Sequence, residues 1–414
     1  MILLLAVVSF VVWFADSTRA DWPGLLGPSR NGHADSKSEI PEKLATDPKQ
    51  IWKVEAGQGF AGPAVAGNDF VLFERVGDSD RVRLLNAATG EEVWHRNLKA
   101  NYRGGVNPDL GPRAVPAILE ASILVYSAAG DLTLLNRKDG SVHWTRSLRK
   151  EYEADDGYFG AGSTPLVVED RAIVNVGGKL GSVVCVSLFD GKTMWTSMPA
   201  DASYASPILI QLTQGNSASQ IVVVPTRYKT LGLALDTGKL AWDFPFGQRG
   251  PTVNAATPVV TASGDLFLTA SYGIGSVLVR ADTASVKMII KGSEISSQYA
   301  TPVVLSGKIF GSDGREDEGT GAYKCLKSDD GKLLWARSDM PVCHTIAAAK
   351  KLLVLGIDGQ IWALDSTSSQ FSPLWKSSLP KGLYRALPAF TGNRLYTRSS
   401  SGNVDAWYCF ELAS

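Results

Sequence analysis

Cysteine and histidine are both rare in this chain, four of each among 414 residues. A scaffold held together by disulfides is thereby not demanded, since a chain of this size can build a core without them. Cys185, Cys325, Cys343 and Cys409 are scattered, which fits an exported protein with buried free thiols; Cys325 and Cys343 flank one return strand and could also meet. His33, His95, His143 and His344 are equally dispersed, with no zinc-ligand spacing. Net charge is missing too, 41 basic side chains against 41 acidic ones, so there is no basic face for nucleic-acid phosphates. Helical periodicity is absent: apolar residues alternate with period two, and 41 Gly and 20 Pro punctuate the chain.

Only one long apolar run occurs, Ile2 to Phe14, followed by a polar stretch ending Thr18-Arg19-Ala20. This pattern predicts a secretory signal over residues 1–20, cleaved before Asp21, and a periplasmic or secreted protein. A retained membrane anchor is the alternative, in which case the chain would meet a membrane there.

What the chain does have is a repeat. Asn86, Thr89, Gly90 and Trp94 recur as Asn136, Asp139, Gly140 and Trp144, as Ser187, Asp190, Gly191 and Trp195, as Asp236, Thr237, Gly238 and Trp242, and as Asp329, Asp330, Gly331 and Trp335. Each Trp stands four residues past the Gly. A period of roughly 40 to 50 residues marks a solenoid or propeller. The polar residue caps its own turn, Gly supplies a positive φ, and the chain returns through a strand bearing the Trp. Upstream, a small residue followed by Pro opens another strand, at Gly62-Pro63, Val115-Pro116, Thr164-Pro165, Ser206-Pro207, Thr257-Pro258, Thr301-Pro302 and Leu387-Pro388.

The return-strand position is held by Trp52, Trp94, Trp144, Trp195, Trp242, Trp335 and Trp375, with Met288 in a degenerate copy. Trp52 precedes every repeat, while the last repeat lacks its fourth strand. The segment Gln50 to Val54 therefore completes it, closing a ring without free sheet edges. The expectation is an all-β, eight-bladed β-propeller of four-stranded blades over residues 50–414, preceded by an extension over 21–49. The tryptophans fill the space between blades.

The blade motif is well shown at Leu235-Asp236-Thr237-Gly238-Lys239-Leu240-Ala241-Trp242 and resembles the pyrroloquinoline-quinone-type propeller repeat. That family includes quinoprotein alcohol dehydrogenases and, without cofactor, the outer-membrane protein assembly factor lipoprotein B. The opening Asp21-Trp22-Pro23-Gly24-Leu25-Leu26-Gly27-Pro28-Ser29-Arg30-Asn31-Gly32 is similar to that of exported propellers of this family in planctomycete-type bacteria, and is expected to pack on the outside of the ring with Trp22 as its anchor.

A quinoprotein dehydrogenase, as the resemblance describes it, holds its quinone between a Trp and a vicinal Cys-Cys disulfide beside calcium and an Asp base. This chain has no Cys-Cys pair and is shorter than those enzymes, so pyrroloquinoline quinone (PQQ) and calcium are not expected. The Gly-rich stretch Gly177 to Gly181 lacks a following helix and makes a poor phosphate cradle. The acidic runs Glu151 to Asp156 and Glu316 to Glu318 are read as solvated loops. The functional expectation is a non-catalytic exported propeller binding an envelope protein or a small ligand; the alternative is a PQQ-dependent oxidoreductase. Residues just before each small-Pro step should ring one mouth of the axial channel: Arg113, Phe159, Tyr204, Asn254, Tyr299, His344 and Arg385. In the seventh repeat Ile346 is read as the replacement for Pro.

Overall fold

The computed structural model describes residues 21–214, 217–401 and 404–414, so the apolar segment read as a signal lies outside the described residues. The chain forms eight four-stranded antiparallel sheets. Seven blades follow one another through residues 64–99, 117–147, 166–196, 208–245, 259–292, 303–337 and 343–378. The eighth combines Ala389–Thr391, Arg394–Ser401 and Val404–Glu411 with the early strand Lys49–Glu55. That strand pairs antiparallel with the last one, from Lys49 opposite Glu411 to Glu55 opposite Ala406, so first and last segments lock the ring.

Burial explains why the strands read as they do. The middle strands are covered on both faces by neighbouring blades, and Phe70 to Phe73 or Val183 to Val186 are buried without interruption. The outermost strands meet solvent on the rim, and Glu92–Lys99 is exposed or half-buried throughout. No helix among the described residues is long and apolar enough to cross a membrane.

Glycine is required at the turns between third and fourth strands. Gly90 has φ +76°, and a Cβ there would lie 2.9 Å from the Trp52 ring of the preceding blade. Gly140, Gly191 and Gly238 repeat this against Trp94, Trp144 and Trp195. Each of these indoles then donates its N–H to the next blade, at Ala87, Arg137, Leu188 and Leu235 carbonyls respectively (2.8–3.1 Å). A flat ring thus seats on a bare turn and satisfies its one polar atom there. Trp242 and Trp335 face blades whose turns lack Gly, and both indole nitrogens are buried with no partner among the described residues.

In the fifth blade the bulge register corrects one expectation. Everywhere else the Trp pairs just ahead of a register shift, as Trp94 does with Leu84 and Trp335 with Cys325. In the fifth blade that place belongs to Ile290, opposite Leu278, and Ile290 lies 3.7 Å from a Cβ built on Gly331. Met288, expected at this position, is two residues away and 48% exposed.

The N-terminal extension does not pack on the outside of the ring. It crosses the end of the axis where the inner strands finish. Trp22 bridges to Val65 and is buried, Ile118 donates to the Pro23 carbonyl, His33 and Ala34 reach Val304 and Ala347, and Glu39 donates to Gly392. Arg30 is held by the Thr164, Pro165 and Pro207 carbonyls of two blades (3.0–3.1 Å). Trp375 donates to Pro41, so this arm also supplies the docking carbonyl for the seventh blade. The reason is composition: Trp22, Leu25, Leu26 and Ile40 are apolar, and the inner-strand ends are the apolar surface left for them.

Candidate functional site

At the other end of the axis the inner strands begin. Backbone donors of one blade meet hydroxyls of the next: Val115 to Thr164 (2.9 Å), Thr164 to Ser206 (2.9 Å), Ser206 to Thr257 (3.3 Å) and Thr257 to Thr301 (3.0 Å). This seam gives Thr164, Ser206, Thr257 and Thr301, each just before a Pro, their physical meaning, since a short hydroxyl satisfies a buried N–H of the preceding blade. Above the seam the channel widens into a cavity of about 190 Å³, floored by Leu25 of the arm with Val115 and Leu387.

Six of the seven predicted ring residues come together around this cavity: Arg113, Phe159, Tyr204, Tyr299, His344 and Arg385. Asn254 does not. It is buried away from the axis, donating to the Thr226, Arg227 and Phe246 carbonyls (3.2 Å each). The extended backbone ahead of the strand explains the error: Arg113, Tyr204, Tyr299 and Arg385 stand three residues before Pro, a position held by Ala255 in the fifth blade and by Gly162 in the third, where Phe159 reaches the cavity from three residues earlier. The same offset identifies Phe60 before Pro63, a lining residue the sequence reading missed. The seventh blade is also corrected. Ala348 pairs with Lys351 at the hairpin end, as Leu305 pairs with Lys308 one blade earlier. Thr345, not Ile346, therefore holds the Pro position, and His344 takes the place of the small residue, deeper in the channel than the ring.

Most of the mouth is held by its own pairings. Tyr299 donates to Glu316 (2.6 Å), whose carboxylate also meets Arg385 Nε (3.0 Å). Arg385 lies over the Phe60 ring at 4.6 Å and over Tyr299 at 5.6 Å; Arg113 lies over Phe60 and Tyr102, both at 5.5 Å. Arg113 is matched by Asp109 (3.1 Å). The Tyr204 hydroxyl accepts from the Tyr158 and Phe159 backbone (3.1 and 2.9 Å), and its ring meets Phe159 edge-on at 5.5 Å. Burial pushes the Tyr299 phenol far up, with the Glu316 charge adding to it.

His344 sits within this network at 3% exposure. Its Nε2 lies 3.0 Å from the Arg385 carbonyl, which can only accept, so the proton is on Nε2 and Nδ1 is a bare acceptor with no partner among the described residues. Burial lowers its pKa to about 4, so the ring is neutral at physiological pH. Of the acidic run Glu316 to Glu318, expected as a solvated loop, Glu316 instead belongs to the mouth, while Asp317, which accepts from Gln298 (2.7 Å), and Glu318 are exposed on a turn. Charge spacing alone could not show that Tyr299 and Arg385 arrive beside Glu316.

All four cysteines are free and buried. Among the described residues no three His, Cys, Asp or Glu side chains gather as metal ligands, and the mouth carboxylates Glu316 and Asp109 are each taken by an arginine. With no vicinal cysteine pair either, the residues present do not fit a calcium-bound quinone.

Comparison with known proteins places the chain. It is 23% identical to the outer membrane protein assembly factor BamB of Yersinia pestis over 388 residues, covering 87% of this chain and 88% of that protein. The crystal structure of BamB from Moraxella catarrhalis superposes with a TM-score of 0.61 at 17% identity, over 88% of this chain and 99% of that one. A europium-containing methanol dehydrogenase superposes at 0.68 with 12% identity, over 95% and 98%. At such identities the structures share the fold alone. The family described as outer membrane protein assembly factor BamB matches residues 78–318, more than half of the sequence, and the chain belongs to that family.

Proposed function

We propose that this chain is an exported, non-catalytic propeller that acts as a protein-interaction scaffold in the cell envelope, periplasmic or secreted. Its membership of the assembly-factor family supports the scaffold class. The observation that carries the reading is the mouth itself: Arg113, Phe159, Tyr204, Tyr299, His344 and Arg385 converge at the open end of a rigid ring. Aromatic and Arg side chains are the groups that dominate protein interfaces. A cavity of about 190 Å³ is smaller than the roughly 300–1,000 Å³ of ordinary small-molecule pockets, which favours a protein partner over a free ligand.

Affinity capture from the native envelope tests this. A variant combining Tyr299→Ala, His344→Ala and Arg385→Ala should keep its β circular dichroism yet lose the protein captured by the parent chain. Retained capture by the folded variant would move the interface to the outer loops. Supplied with PQQ and calcium, the purified protein should give no cofactor-dependent dye reduction with alcohols or sugars; saturable turnover would put the oxidoreductase reading first.

A further inference from the structure

We infer that the axial cavity is a socket for one tyrosine side chain of a protein partner, its ring among the mouth aromatics and its hydroxyl at Arg385. The inference rests on the scaffold reading above and names the chemistry of its anchor.

Size sets the first limit. An apolar cavity of about 150 Å³ accepts a benzene ring. At about 190 Å³ the axial cavity has room for one such ring and a polar tip. The walls suit a ring: Phe60, Phe159, Tyr204 and Tyr299 surround it, and Leu25, Val115 and Leu387 form an apolar floor. Offset and edge-to-face contacts with such neighbours each add to the area buried.

Charge sets the second limit. Arg113 is matched by Asp109 and Arg385 by Glu316, so a carboxylate or ammonium entering the mouth would find no unmatched counter-charge. Burying an unpaired charge is costly, which selects a neutral tip.

Hydrogen bonding sets the third. Arg385 has five donors and gives Glu316 only its Nε, with the side chain still 31% exposed. His344 lines the same cavity and is joined to Arg385 through the 3.0 Å bond to its carbonyl, which makes its ring a reporter of the site. One wall therefore presents open donors. A phenol hydroxyl accepts from Arg385; an indole N–H only donates, and a phenyl ring does neither.

The full chain, labelled with carbon-13 at its four histidines, is titrated with capped Gly-Tyr-Gly, Gly-Phe-Gly and Gly-Ala-Gly peptides while the ring signals are followed by NMR. The tyrosine peptide should shift the His344 signal saturably, the phenylalanine peptide should bind about five- to tenfold more weakly for want of one hydrogen bond, and the alanine peptide should not bind. Ala255→Phe, which fills the cavity from a lining position, should abolish the shift and the capture of the envelope partner. Should that variant fail to fold, competition decides: the tyrosine peptide, and not the alanine one, should displace the captured partner from the parent chain. Equal binding of all three peptides, or no saturable shift, overturns the socket. Capture undiminished in folded Ala255→Phe overturns the anchor and leaves the scaffold reading standing. A working socket with no captured protein removes the scaffold reading instead.

Discussion

At one end of the axis, closure is made largely by backbone and by apolar side chains. The arm bonds to the inner strands of the first, second, seventh and eighth blades, Arg30 ties the third and fourth blades together through three carbonyls, and the tight glycine turns receive the blade tryptophans. At the other end the same inner strands begin under long loops, and the axis is lined by side chains that hold one another: Tyr299 with Glu316, Arg385 with Phe60, Tyr204 with Phe159. The first arrangement cannot open without breaking ring closure. The second can exchange one partner for another without touching a strand. In the reading proposed above, recognition belongs to the second end and ring closure to the first, with the hydroxyl seam between them.

The sharpest way to break this comparison is to remove the arm and the closing strand together. Deleting Met1–Glu55 leaves Val404–Glu411 as a bare edge and uncovers the apolar inner-strand ends. Aggregated or protease-labile protein is expected by size exclusion and limited proteolysis. A monomer with an unchanged cooperative melt would mean that closure does not reside at the arm end.

Next come the tryptophans seated there. Trp195→Ala should cost about 3–5 kcal/mol in chemical denaturation, since the ring is buried, bonded to Leu235 and seated on Gly238. Trp335→Ala should cost about 1 kcal/mol less, because its indole nitrogen has no partner to lose. Equal losses would show that the hydrogen bond and the glycine seat contribute nothing beyond area.

The same contrast explains what could be read from the sequence. The arm end was legible in its blades and closure because tight turns need Gly at fixed offsets and a docking ring must be large and flat, so both appear as letters at a constant spacing. The path of the arm was not legible, since Trp22 and Leu25 announce only that they need cover, not which surface provides it. At the mouth the strand starts were readable, and six of seven predicted residues reached the cavity. Asn254 failed by one residue because alternation reverses a side chain at each step, and Met288 failed because a bulge displaces the return strand. Glu316 was misread since its partners lie on other segments of the chain, where no local spacing points.

A smaller effect separates the ends by pH. The folded His344 pKa of about 4 lies below its ordinary value near 6.5, so between these values the unfolded chain binds the proton that the folded chain refuses. Stability from this group is therefore present above about pH 6.5 and lost as pH falls toward 4. From pH 7 to pH 5 the parent chain should lose about 2 kcal/mol more than His344→Gln, which cannot titrate. Parallel losses in the two proteins, measured by denaturant titration at both pH values, would show that His344 is not held neutral in the mouth.

The smallest expected effect distinguishes a mouth carboxylate from a solvated one two residues away. Glu316 is 17% exposed in its side chain, accepts from Tyr299 and faces Arg385. Glu318 is 53% exposed and, among the described residues, pairs with Arg315 on its own loop. Glu316→Gln keeps an oxygen for the Tyr299 hydroxyl but leaves the Arg385 charge unmatched, so a loss of about 1 kcal/mol is expected. Glu318→Gln should lie within about 0.5 kcal/mol of the parent, as exposed ion pairs usually do. Thermal melts at two salt concentrations make the comparison stricter, because screening should erase the Glu318 difference and leave most of the Glu316 difference. If both variants lose equally, or if salt erases both losses, the mouth pairings are ordinary surface contacts and the assignment of recognition to that end fails.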